Sequence, residues 1–540
     1  MRFPKRRRHA GVEEEDAAEM SAQFRNPFVH ELHFTFPQKI KIALMTVTLL
    51  PFRLFLAAFW MLVAWPFAFV ATVGRADNTV LPPTWWRWVV DKALKLCMRA
   101  MWFSGGFHWV RVKGRPALPS EAPILTLAPH SSYFDAIPVT MTMASIVMKA
   151  ESKDVPIWGT LIKFIRPVFV SRFDPDSRRK TVEEIKRRAC SGGEWPQIMI
   201  FPEGTCTNRS CLITYKPGAF IPGVPVQPVV LRYLNAMDTI TWTWQGPGAF
   251  KILWLTLCQL HNPLEIEYLP TYTPSEEEKS DPALFASNVR RLMAKALNTP
   301  VTDYSFEDCQ LSMVQGPLRL PGNTCLLEFS RLARHLGLKA GLSDKVLQEH
   351  GSRARKLWGD KLGLADFAQY VNLPITDKLQ DLFDMLDEQG TGQMDLRQYV
   401  IALSMVTKPF KGLETIQLGF QIFDAEDGGG VGEEDLSIIL RTTFGVEEVH
   451  TSHLFSVLDT SHTGRLTFEE FRQFVERCPD FVERHLLCSG SSQPSSPSIQ
   501  QPPPLASKSN SNGFCTDFTP HDQQSHTHNN HVSADDKKVN

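Results

Sequence analysis

The longest apolar stretch of the chain lies close to its amino terminus. Leu54–Val73 comprises 20 residues without a charge, which at 1.5 Å per residue are long enough to cross a hydrocarbon core of about 30 Å. A shorter apolar piece, Ile42–Phe52, precedes it, and Pro51 and Arg53 separate the two. Pro66 interrupts the longer piece. The pattern therefore predicts one or two membrane-inserted segments.

Residues 39–74 are accordingly predicted to form a membrane anchor behind a polar, charged arm of residues 1–38. A single span and a re-entrant hairpin both fit, because broken helices are tolerated where neighbouring segments cover the freed backbone groups. The arm carries a basic run at residues 5–8, which is typical of the cytoplasmic flank of a membrane segment. The apolar stretch begins too far into the chain for a typical cleaved signal peptide.

Tryptophans and other apolar residues recur at nearly helical spacing after the anchor. Trp85, Trp86 and Trp88 begin this pattern, and Trp102 ends it. The spacing predicts a helix over residues 85–102. Its tryptophans favour a position at the membrane interface, and a helix in the protein core fits the same pattern.

Short apolar runs alternate with amphipathic stretches between residues 122 and 270. One amphipathic stretch, Asp176–Cys190, sets apolar residues against a strongly basic face and predicts a surface helix. Such alternation indicates an α/β domain, and we expect a mixed sheet flanked by helices within residues 75–310. Five runs are apolar or β-branched, are bounded by turn residues and are predicted to be strands: Pro123–Leu127, Pro167–Val170, Gln197–Phe201, Val226–Leu231 and Glu265–Leu269.

Composition and charge narrow the classes of protein to which the chain can belong. Its 540 residues are 43% hydrophobic, and 57 basic against 58 acidic residues leave a formal net charge of -1. This balance gives no electrostatic footprint for nucleic acid, so no nucleic-acid partner is expected. The ten cysteines are too scattered for a disulfide scaffold, and Cys206 and Cys211 have no second ligand pair to complete a metal site. We therefore expect reduced thiols.

The densest chemical signal follows the first predicted strand. His130 and Asp135 are five residues apart, with Ser131 and Ser132 between them. If one of these serines caps a helix, the Asp135 carboxylate can reach back to one imidazole nitrogen of His130. The carboxylate would then fix the tautomer and leave the other nitrogen free to take a proton from an attacking hydroxyl. The alternative is that Asp135 only completes a capping box.

Three further blocks lie at the ends of predicted strands, where loops on a rigid sheet can converge. Arg172 follows the second strand, Pro202–Thr205 (Pro-Glu-Gly-Thr) follows the third, and Val224–Val229 opens the fourth. Together with the His-x4-Asp of His130 and Asp135, this ordered set resembles the glycerolipid acyltransferase family. The sequence contains no Gly-x-Ser-x-Gly elbow, no phosphate-binding P-loop and no His-Glu-x-x-His zinc motif.

The resemblance implies a role for each matching residue. His130 would deprotonate the acceptor hydroxyl, and Asp135 would orient His130. Acyl-CoA is the implied co-substrate, and because its thioester is already activated, a single direct transfer needs no covalent enzyme intermediate. A guanidinium matches phosphate oxygens, and glycine permits close approach of the backbone. The implied substrate-binding residues are Arg172 for the acceptor phosphate, Glu203 and Gly204 for the glycerol backbone, and Thr205 beside them.

Over nearly its whole length the chain resembles the lysophosphatidylcholine acyltransferases. The residues that carry this resemblance are Leu127–Ala136, Glu203–Cys206, Asn26–His30 and a helical carboxy-terminal region. It implies acylation of the free hydroxyl of lysophosphatidylcholine to give phosphatidylcholine, and acetylation of the alkyl form to platelet-activating factor as a further activity. Two alternatives stay open: another acceptor such as lysophosphatidic acid, and a catalytically inactive, calcium-responsive membrane scaffold.

Residues 326–485 are predominantly helical in pattern and contain three candidate EF-hand loops. Ligands in such loops lie at positions 1, 3, 5, 7, 9 and 12, with glycine at position 6. Asp459–Glu470 fits best, Asp387–Gln398 has glutamine at position 12, and Asp424–Asp435 has glycines where ligand side chains belong. We expect an all-α EF-hand module with Ca²⁺ as candidate ligand, and a purely structural pair of hands is the alternative. The candidate ligands are Asp459, Ser461, Thr463, Arg465 and Glu470 in one loop, and Asp387, Gln389, Thr391, Gln393 and Gln398 in the other.

Residues 489–540 are rich in Ser, Pro, Gln, Asn and His and are expected to form a disordered tail. The tail ends with Lys537 and Lys538, which resemble a dilysine signal for retrieval machinery of the endoplasmic reticulum. Such a signal acts only from the cytosol, which favours the hairpin over the single span. We expect an endoplasmic reticulum membrane location, with the Golgi and lipid droplets as further sites. Asn208–Ser210 is a formal glycosylation sequon, and its position beside Glu203 predicts that it is unused.

Overall fold

The structure is a computed structural model, and it describes residues 26–73, 84–155, 157–170, 176–314, 316–322, 324–339, 342–357, 360–424, 429–459, 462–478 and 481. Several predicted features lie outside these ranges: the basic run of the arm, Arg172, Ser461, and the tail with Lys537 and Lys538. The boundaries predicted for the domains stay predictions.

Three helices form the amino-terminal part of the described chain. They are α1 (Phe36–Thr48), α2 (Leu50–Thr72) and α3 (Trp85–Ser104). Among the helices described, α2 alone is long and apolar enough to cross a membrane. Large apolar side chains on it, such as Phe55 and Leu62, are exposed, as lipid-facing residues are. These features indicate membrane association.

Arg53 lies inside α2 rather than between two apolar helices. The break falls at Leu49, so the interpretation of Arg53 as a separator is wrong. The Arg53 side chain is buried, and main-chain oxygens of the protein accept its hydrogen bonds in place of water. Its guanidinium donates at 2.8, 2.5 and 2.7 Å to the carbonyl oxygens of Leu257, Gln259 and Leu260.

The helix predicted from the tryptophan spacing is α3, and it packs along α2. Ala64 and Ala68 of α2 are fully buried in a cluster with Leu94 and other apolar residues of α3. Small residues at such a contact let two helices approach closely. Trp85 and Trp88, at the start of α3, are exposed. The helix therefore combines an exposed tryptophan end with a buried face.

The centre of the chain folds into one seven-stranded sheet. The strands are β1 (Val110–Lys113), β2 (Ile124–Ala128), β3 (Ser145–Lys149), β4 (Val168–Val170), β5 (Ile198–Ile200), β6 (Val226–Tyr233) and β7 (Leu264–Tyr268). Their order is β1-β7-β6-β2-β5-β3-β4. All neighbouring pairs are parallel except β6 and β7, so the sheet is mixed, as predicted. Strand β2 lies at its centre, between β5 and β6.

Two of the strands, β1 and β3, were not predicted from the sequence. Strand β1 lies at an edge, and its last three residues are exposed, so it lacks the buried apolar face that marks a strand in sequence. Strand β3 pairs with β5 only through Ser145 and Ile146. The five predicted strands are all present, with ends within two residues of those expected.

Helices flank the sheet: α4 (Ile137–Thr142), α5 (Trp158–Phe164), α6 (Ser177–Ala189), α7 (Ala249–Leu257), α8 (Glu276–Ser280) and α9 (Pro282–Leu297). Two core clusters meet at β2. Ile124 belongs to the cluster that includes Phe285 of α9, whereas Leu125 belongs to the cluster that includes Ile252 of α7. Successive strand residues point to opposite faces, so β2 is buried on both of its faces. Its carboxyl end leads directly into the loop that carries His130.

The rest of the described chain is helical: α10 (Phe306–Ser312), α11 (Leu326–His335), α12 (Asp344–Lys356), α13 (Leu364–Val371), α14 (Asp377–Leu386), α15 (Leu396–Thr407), α16 (Gly412–Phe423), α17 (Glu433–Phe444), α18 (Thr451–Leu458) and α19 (Phe468–Arg477). From α12 onward the helices form four helix-loop-helix units. Their loops join in pairs, through the antiparallel strands β8 (Lys361–Leu362) and β9 (Met394–Asp395) and through a bridge between Val431 and Leu466. The α12–α13 unit was not predicted, because its loop lacks the spaced oxygen ligands that marked the other three.

Candidate active site

His130 and Asp135 lie in the loop and short 3-10 turn that follow β2. The chain leaves β2 through the cis peptide Ala128–Pro129, and Ser132 caps the turn Tyr133–Ala136. His130 Nδ1 lies 2.9 Å from Asp135 Oδ2. Because an ionised carboxylate can only accept, this contact places a proton on Nδ1. The structure thus joins the two residues that the spacing singled out.

The Asp135 carboxylate is completely buried and meets further donors. Its Oδ2 also accepts from the amides of Ser131 and Ser132 at 2.7 and 2.9 Å, and its Oδ1 accepts from the Tyr233 hydroxyl at 2.6 Å. Ser132 and Asp135 form a capping box. The two interpretations of Asp135 are therefore compatible, because one carboxylate both caps the turn and contacts the imidazole.

Glu203 is buried beside the His130 loop and holds its main chain. Its Oε1 accepts from the His130 amide at 2.8 Å, and the Thr207 amide donates to the His130 carbonyl oxygen at 2.8 Å. Burial raises the pKa of Glu203 to about 7, although the hydrogen bond from His130 opposes this shift. The resemblance implies a contact with the glycerol backbone, whereas the contact present here orders the His130 loop.

The second ring nitrogen of His130 faces Cys206. Nε2 lies 3.6 Å from Cys206 Sγ, and the imidazole stacks on Phe201 with ring centroids 4.2 Å apart. Burial lowers the pKa of His130, but the Cys206 sulfur and the Asp135 carboxylate raise it by more, so the pKa lies well above its usual value. The His130 side chain remains 22% exposed. In its neutral form, an oriented, partly open imidazole of this kind can accept a proton from a group in the cleft.

Gly204 and Thr205 shape the loop that follows Glu203. Gly204 has a φ of +70°, a backbone conformation that residues with a Cβ rarely adopt, so the position favours glycine. Thr205 is 6% exposed, and its hydroxyl lies 3.4 Å from Cys309 Sγ. The Thr205 side chain therefore faces the protein interior, whereas Gly204 is exposed.

The proline-rich block Val224–Val229 has a structural function. Gln227 is buried, and its Nε2 donates to the carbonyl oxygens of Arg115 and Leu269 at 2.8 and 3.0 Å. Its Oε1 accepts from the Ala117 amide at 2.8 Å. These bonds tie β6 to the segment before β2 and to the end of β7.

The segment Asn26–His30 contacts Asn208, which follows the Glu203 loop. Asn208 Nδ2 donates to the carbonyl oxygens of Asn26 and Val29, both at 2.9 Å, and Phe28 is fully buried. A glycan on Asn208 would replace one of the two Nδ2 hydrogens and so remove at least one of these hydrogen bonds. The contacts therefore support the prediction that the sequon is unused.

Two residues of the site, Tyr233 and Cys206, were missed in the sequence. Tyr233 ends a buried strand, and its hydroxyl donates to Asp135, which is 98 positions away in the chain. Local sequence patterns do not predict contacts between such distant positions. Cys206 was paired in the sequence only with Cys211, yet both are free thiols. The signal available for Cys206 was its position directly after the Pro-Glu-Gly-Thr block.

Two loops of the helix-loop-helix units contain the candidate metal ligands. In the loop before α15, Asp387 Oδ1 and Oδ2 accept from the amides of Thr391 and Gly392 at 3.0 and 2.7 Å. Gln398 is 7% exposed, and its Oε1 has no hydrogen-bond partner within the described structure. The other candidates in this loop are exposed: Gln389, Thr391 and Gln393.

The loop before α19 has a similar fold around Asp459. Its Oδ1 and Oδ2 accept from the amides of Thr463 and Gly464 at 2.9 and 2.8 Å. Glu470 Oε2 accepts from the amide and hydroxyl of Thr467 at 2.9 and 2.7 Å, and it thereby caps α19. Glu470 therefore contacts the protein rather than pointing freely into the loop.

The donors in these loops match calcium in kind. Ca²⁺ takes carboxylate, amide and main-chain carbonyl oxygens, and the carbonyl oxygen of Arg465 lies at the seventh position, where it accepts from Thr463 at 2.9 Å. Within the ranges that the structure describes, no three His, Cys, Asp or Glu side chains form a metal-binding group. Calcium binding at either loop stays a prediction.

The site and the fold together define a class of protein. An imidazole oriented by a buried carboxylate stands at the carboxyl end of the central strand, in a chain with a helix long enough to cross a membrane. This is the arrangement of an acyltransferase associated with a membrane, and a family model described as Acyltransferase matches residues 109–232.

Whole-chain comparisons narrow the class to a family. Lysophosphatidylcholine acyltransferase 1 of Danio rerio is 68% identical to this chain over 96% of this chain and 98% of its own length. The Homo sapiens protein of the same name is 60% identical over 94% of both chains. Lysophosphatidylcholine acyltransferase 2 of Homo sapiens is 45% identical over 85% of this chain and 84% of its own. The chain belongs to the lysophosphatidylcholine acyltransferase family and is an acyltransferase.

Among solved structures, the 1-acyl-sn-glycerophosphate (LPA) acyltransferase from Thermotoga maritima aligns with 49% of this chain and 100% of that chain. The sequence identity is 18% and the TM-score is 0.34, a likeness too weak to support an argument.

Proposed function

We propose that this enzyme transfers a fatty acyl group from acyl-CoA to the free hydroxyl of lysophosphatidylcholine and so forms phosphatidylcholine. The acceptor is the one for which its relatives are named. The observation that carries the proposal is the 2.9 Å contact between His130 Nδ1 and Asp135 Oδ2, which leaves Nε2 of a partly exposed imidazole for the proton of the hydroxyl. Acetylation of alkyl-lysophosphatidylcholine is the second activity proposed for the same site.

His130 acts in this proposal as the general base. Its Nε2 takes the proton of the acceptor hydroxyl, and the buried Asp135 stabilises the imidazolium that results. Arg172 binds the acceptor phosphate through its two-pronged guanidinium, as its place in the family's second block implies. Glu203 acts through the backbone of the His130 loop, and the exposed Gly204, beside the buried Thr205, positions the glycerol backbone.

The test combines two substitutions with a matched control. Purified enzyme in detergent micelles receives acyl-CoA and lysophosphatidylcholine, and both free CoA and phosphatidylcholine are measured. His130→Ala and Asp135→Asn are each expected to lower the rate by about 100-fold or more, since a positioned base contributes about 10²–10⁴-fold. The control is His33→Ala, because the His33 side chain is 84% exposed. Wild-type rates from folded His130→Ala would reject the proposal.

A panel of acceptors then tests the lipid specificity. Lysophosphatidic acid, other lysophospholipids and alkyl-lysophosphatidylcholine with acetyl-CoA are compared under the same conditions. A preference for lysophosphatidic acid would change the acceptor and keep the chemistry. If the wild-type protein released no CoA with any of these acceptors, the proposed class of acceptor would be rejected.

The same proposal extends to the location of the enzyme. We propose that α2 is the membrane anchor and that the protein resides in the endoplasmic reticulum, with the Golgi and lipid droplets as further sites. Lys537 and Lys538 would engage retrieval machinery from a cytosolic tail. Replacement of both lysines by serine is expected to shift a tagged protein out of the endoplasmic reticulum, and an unchanged distribution would reject the signal.

We further propose that the four helix-loop-helix units are two EF-hand pairs. The amide contacts of Asp387 and Asp459 and the antiparallel pairing of the loops support this assignment. Calcium would be held by Asp459, Thr463 and the Arg465 carbonyl oxygen in one loop, and by Asp387 and Gln398 in the other. The substitution Gln398→Glu tests calcium binding at the second of these loops.

A further inference from the structure

Helix α10 packs against the Glu203 loop. Thr205 of this loop is buried, and its hydroxyl lies 3.4 Å from Sγ of Cys309 in α10. The Lys216 side chain passes beside the glycine of the same loop, and its ammonium lies 3.5 Å from the centre of the Phe306 ring. Phe306 and Cys309 are one turn apart, so one face of α10 borders the Glu203 loop.

Thr205 lies between the two residues that hold the main chain of His130. Glu203 Oε1 accepts from the His130 amide at 2.8 Å, and the Thr207 amide donates to the His130 carbonyl oxygen at 2.8 Å. Because Thr205 is two residues from each of them, a shift of Thr205 displaces both contacts. The position of α10 therefore affects the orientation of the imidazole.

Asp308 joins α10 to the next helix, α11. Its carboxylate is completely buried, and Oδ2 caps α10 by accepting from the amide and hydroxyl of Ser305 at 2.8 and 3.0 Å. Two residues of α11 also donate to it: the Ser330 hydroxyl to Oδ1 at 2.8 Å, and the Arg334 guanidinium to Oδ2. A helix cap needs only the Ser305 contacts, whereas the charge-assisted bond from Arg334 connects two helices.

Helix α11 is fixed in turn to the helix-loop-helix units. The Phe329 ring of α11 and the Tyr399 ring of α15 are both buried, with centroids 6.3 Å apart. Just before α11, the Thr324 hydroxyl donates at 2.7 Å to the carbonyl oxygen of Phe444, the last residue of α17. Cys309 belongs to the same hydrophobic cluster as Phe329 and Tyr399. One continuous core therefore extends from these units to α10.

We propose that Asp308 is a positioning residue for acyl transfer. Through its bonds to α11 it holds Cys309 against Thr205, and it thereby keeps the Glu203 loop in the position that orders His130. The proposal rests on the proposed function, in which His130 is the base. It gives the helical part of the chain a function in catalysis that does not require calcium.

Loss of the Asp308–Arg334 pair is expected to lower kcat. Asp308→Asn and Arg334→Gln should each reduce it by about 10- to 100-fold, since a displacement of about 1 Å at the reacting groups costs about 100-fold. KM should change little, because the substitutions leave the substrate-binding residues in place. The asparagine amide oxygen can still accept from the Ser305 amide, so α10 keeps its cap.

Two further variants test whether the pair acts as a unit. The double variant Asp308→Asn/Arg334→Gln should lose no more activity than either single variant, because each substitution already breaks the same contact. Arg334→Lys retains a cation on a side chain that is 25% exposed, and it should recover most of kcat. A merely stabilising role for the pair predicts changes in melting temperature without these changes in kcat.

The matched control is Arg441→Gln. This substitution breaks the ion pair of Arg441 with Glu388 at 3.2 Å, which lies within the helix-loop-helix units. It should lower the melting temperature and leave kcat unchanged. All rates are measured on the full-length enzyme with a chelator present, at a temperature at which each variant is folded.

Several outcomes would overturn the positioning role. These are wild-type kcat in folded Asp308→Asn and Arg334→Gln, an equal loss of kcat in Arg441→Gln, and a rise in KM without a fall in kcat. If Asp308→Asn does not fold, Arg334→Gln and Arg334→Lys decide the question by the same comparison. The assay uses the lysophospholipid that the wild-type enzyme acylates fastest, so rejection of lysophosphatidylcholine as the acceptor leaves this test intact.

Discussion

Tyr233 and Asp135 are 98 positions apart in the chain, and the Tyr233 hydroxyl donates to Asp135 Oδ1 at 2.6 Å. Burial raises the pKa of Tyr233 well above its usual range, so the phenol keeps its proton and remains a donor. Arg209 lies over the Tyr233 ring and is paired with Asp238 at 2.6 Å. The carboxylate beside His130 is therefore oriented by strand β6 as well as by its own loop.

Replacing Tyr233 by phenylalanine is expected to change the pH dependence of acyl transfer. The loss of one donor leaves the Asp135 charge less stabilised, so Asp135 holds the proton of His130 more strongly and raises the pKa of His130. Because the base must be neutral, the acidic limb of the pH–rate profile should move to higher pH. The maximal rate should also fall by about 10- to 100-fold with little change in KM, since a hydrogen bond to a charged group contributes about 1.5–3 kcal/mol and each 1.4 kcal/mol is about tenfold in rate.

The matched control for this prediction is Tyr215→Phe. Tyr215 is also buried, but its hydroxyl contacts Met293 Sδ at 3.4 Å rather than a carboxylate. A purely structural role for Tyr233 would lower the melting temperature in both variants and leave both pH profiles unchanged. That result would contradict the positioning role of Tyr233.

Glu203→Gln is expected to remove a pH-dependent penalty on stability. The pKa of Glu203 is raised from 4.5 to about 7 in the folded protein, so between these values the folded state keeps a proton that the unfolded state has lost. The stability of the wild type should therefore fall as pH rises through this window, by up to about 3 kcal/mol. Glutamine can still accept from the His130 amide, and the variant should show a flatter profile.

Thermal unfolding in detergent between pH 4.5 and pH 8 measures this effect. Glu276→Gln serves as the control, because the Glu276 side chain is 89% exposed. Parallel stability profiles for wild type and Glu203→Gln would show that Glu203 ionises normally in the folded protein.

Arg53→Met is expected to loosen α2 from the catalytic part of the chain. The substitution leaves the carbonyl oxygens of Leu257, Gln259 and Leu260 without their donor. A buried acceptor left unpaired costs about 1–3 kcal/mol, and the bonds to Leu257 and Gln259 are buried, so the total loss should be about 2 kcal/mol or more. This loss of stability should appear as a lower melting temperature and as faster proteolysis of the loop after α7. Lys41→Met, at an exposed position of α1, should melt like the wild type.

Gln398→Glu is expected to strengthen calcium binding to the loop that begins at Asp387. The Gln398 side chain is buried with an unused oxygen, and glutamate at this position would supply the bidentate carboxylate of a calcium loop. Without calcium the buried charge should lower the melting temperature, and with calcium the variant should recover it. The melting temperature with calcium and with a chelator is the measurement. Equal melting under both conditions would argue for a purely structural loop.

Elements with a regular apolar period were predictable from the sequence. Helix α6, predicted over Asp176–Cys190, spans Ser177–Ala189, and Val182, Ile185 and Ala189 recur along it at helical spacing. Strand β1 was not predictable in this way, because its residues are mostly exposed and show no regular apolar spacing. The α12–α13 unit was identified only in the structure, where strand β8 in its loop pairs with strand β9 in the loop of the next unit.

The sequence by itself placed His130 and Asp135 in one short segment and the Glu203 loop at the end of a strand. Residues five apart stay within one turn, and blocks at the ends of parallel strands meet at one edge, whereas the turn capped by Ser132 makes the His130–Asp135 contact. Only the tertiary structure decided that Tyr233 orients the carboxylate, that Cys206 faces the imidazole and that Arg53 joins α2 to α7. Each of these contacts joins distant positions, and their distances depend on strand pairing and helix packing, which local periodicity does not encode.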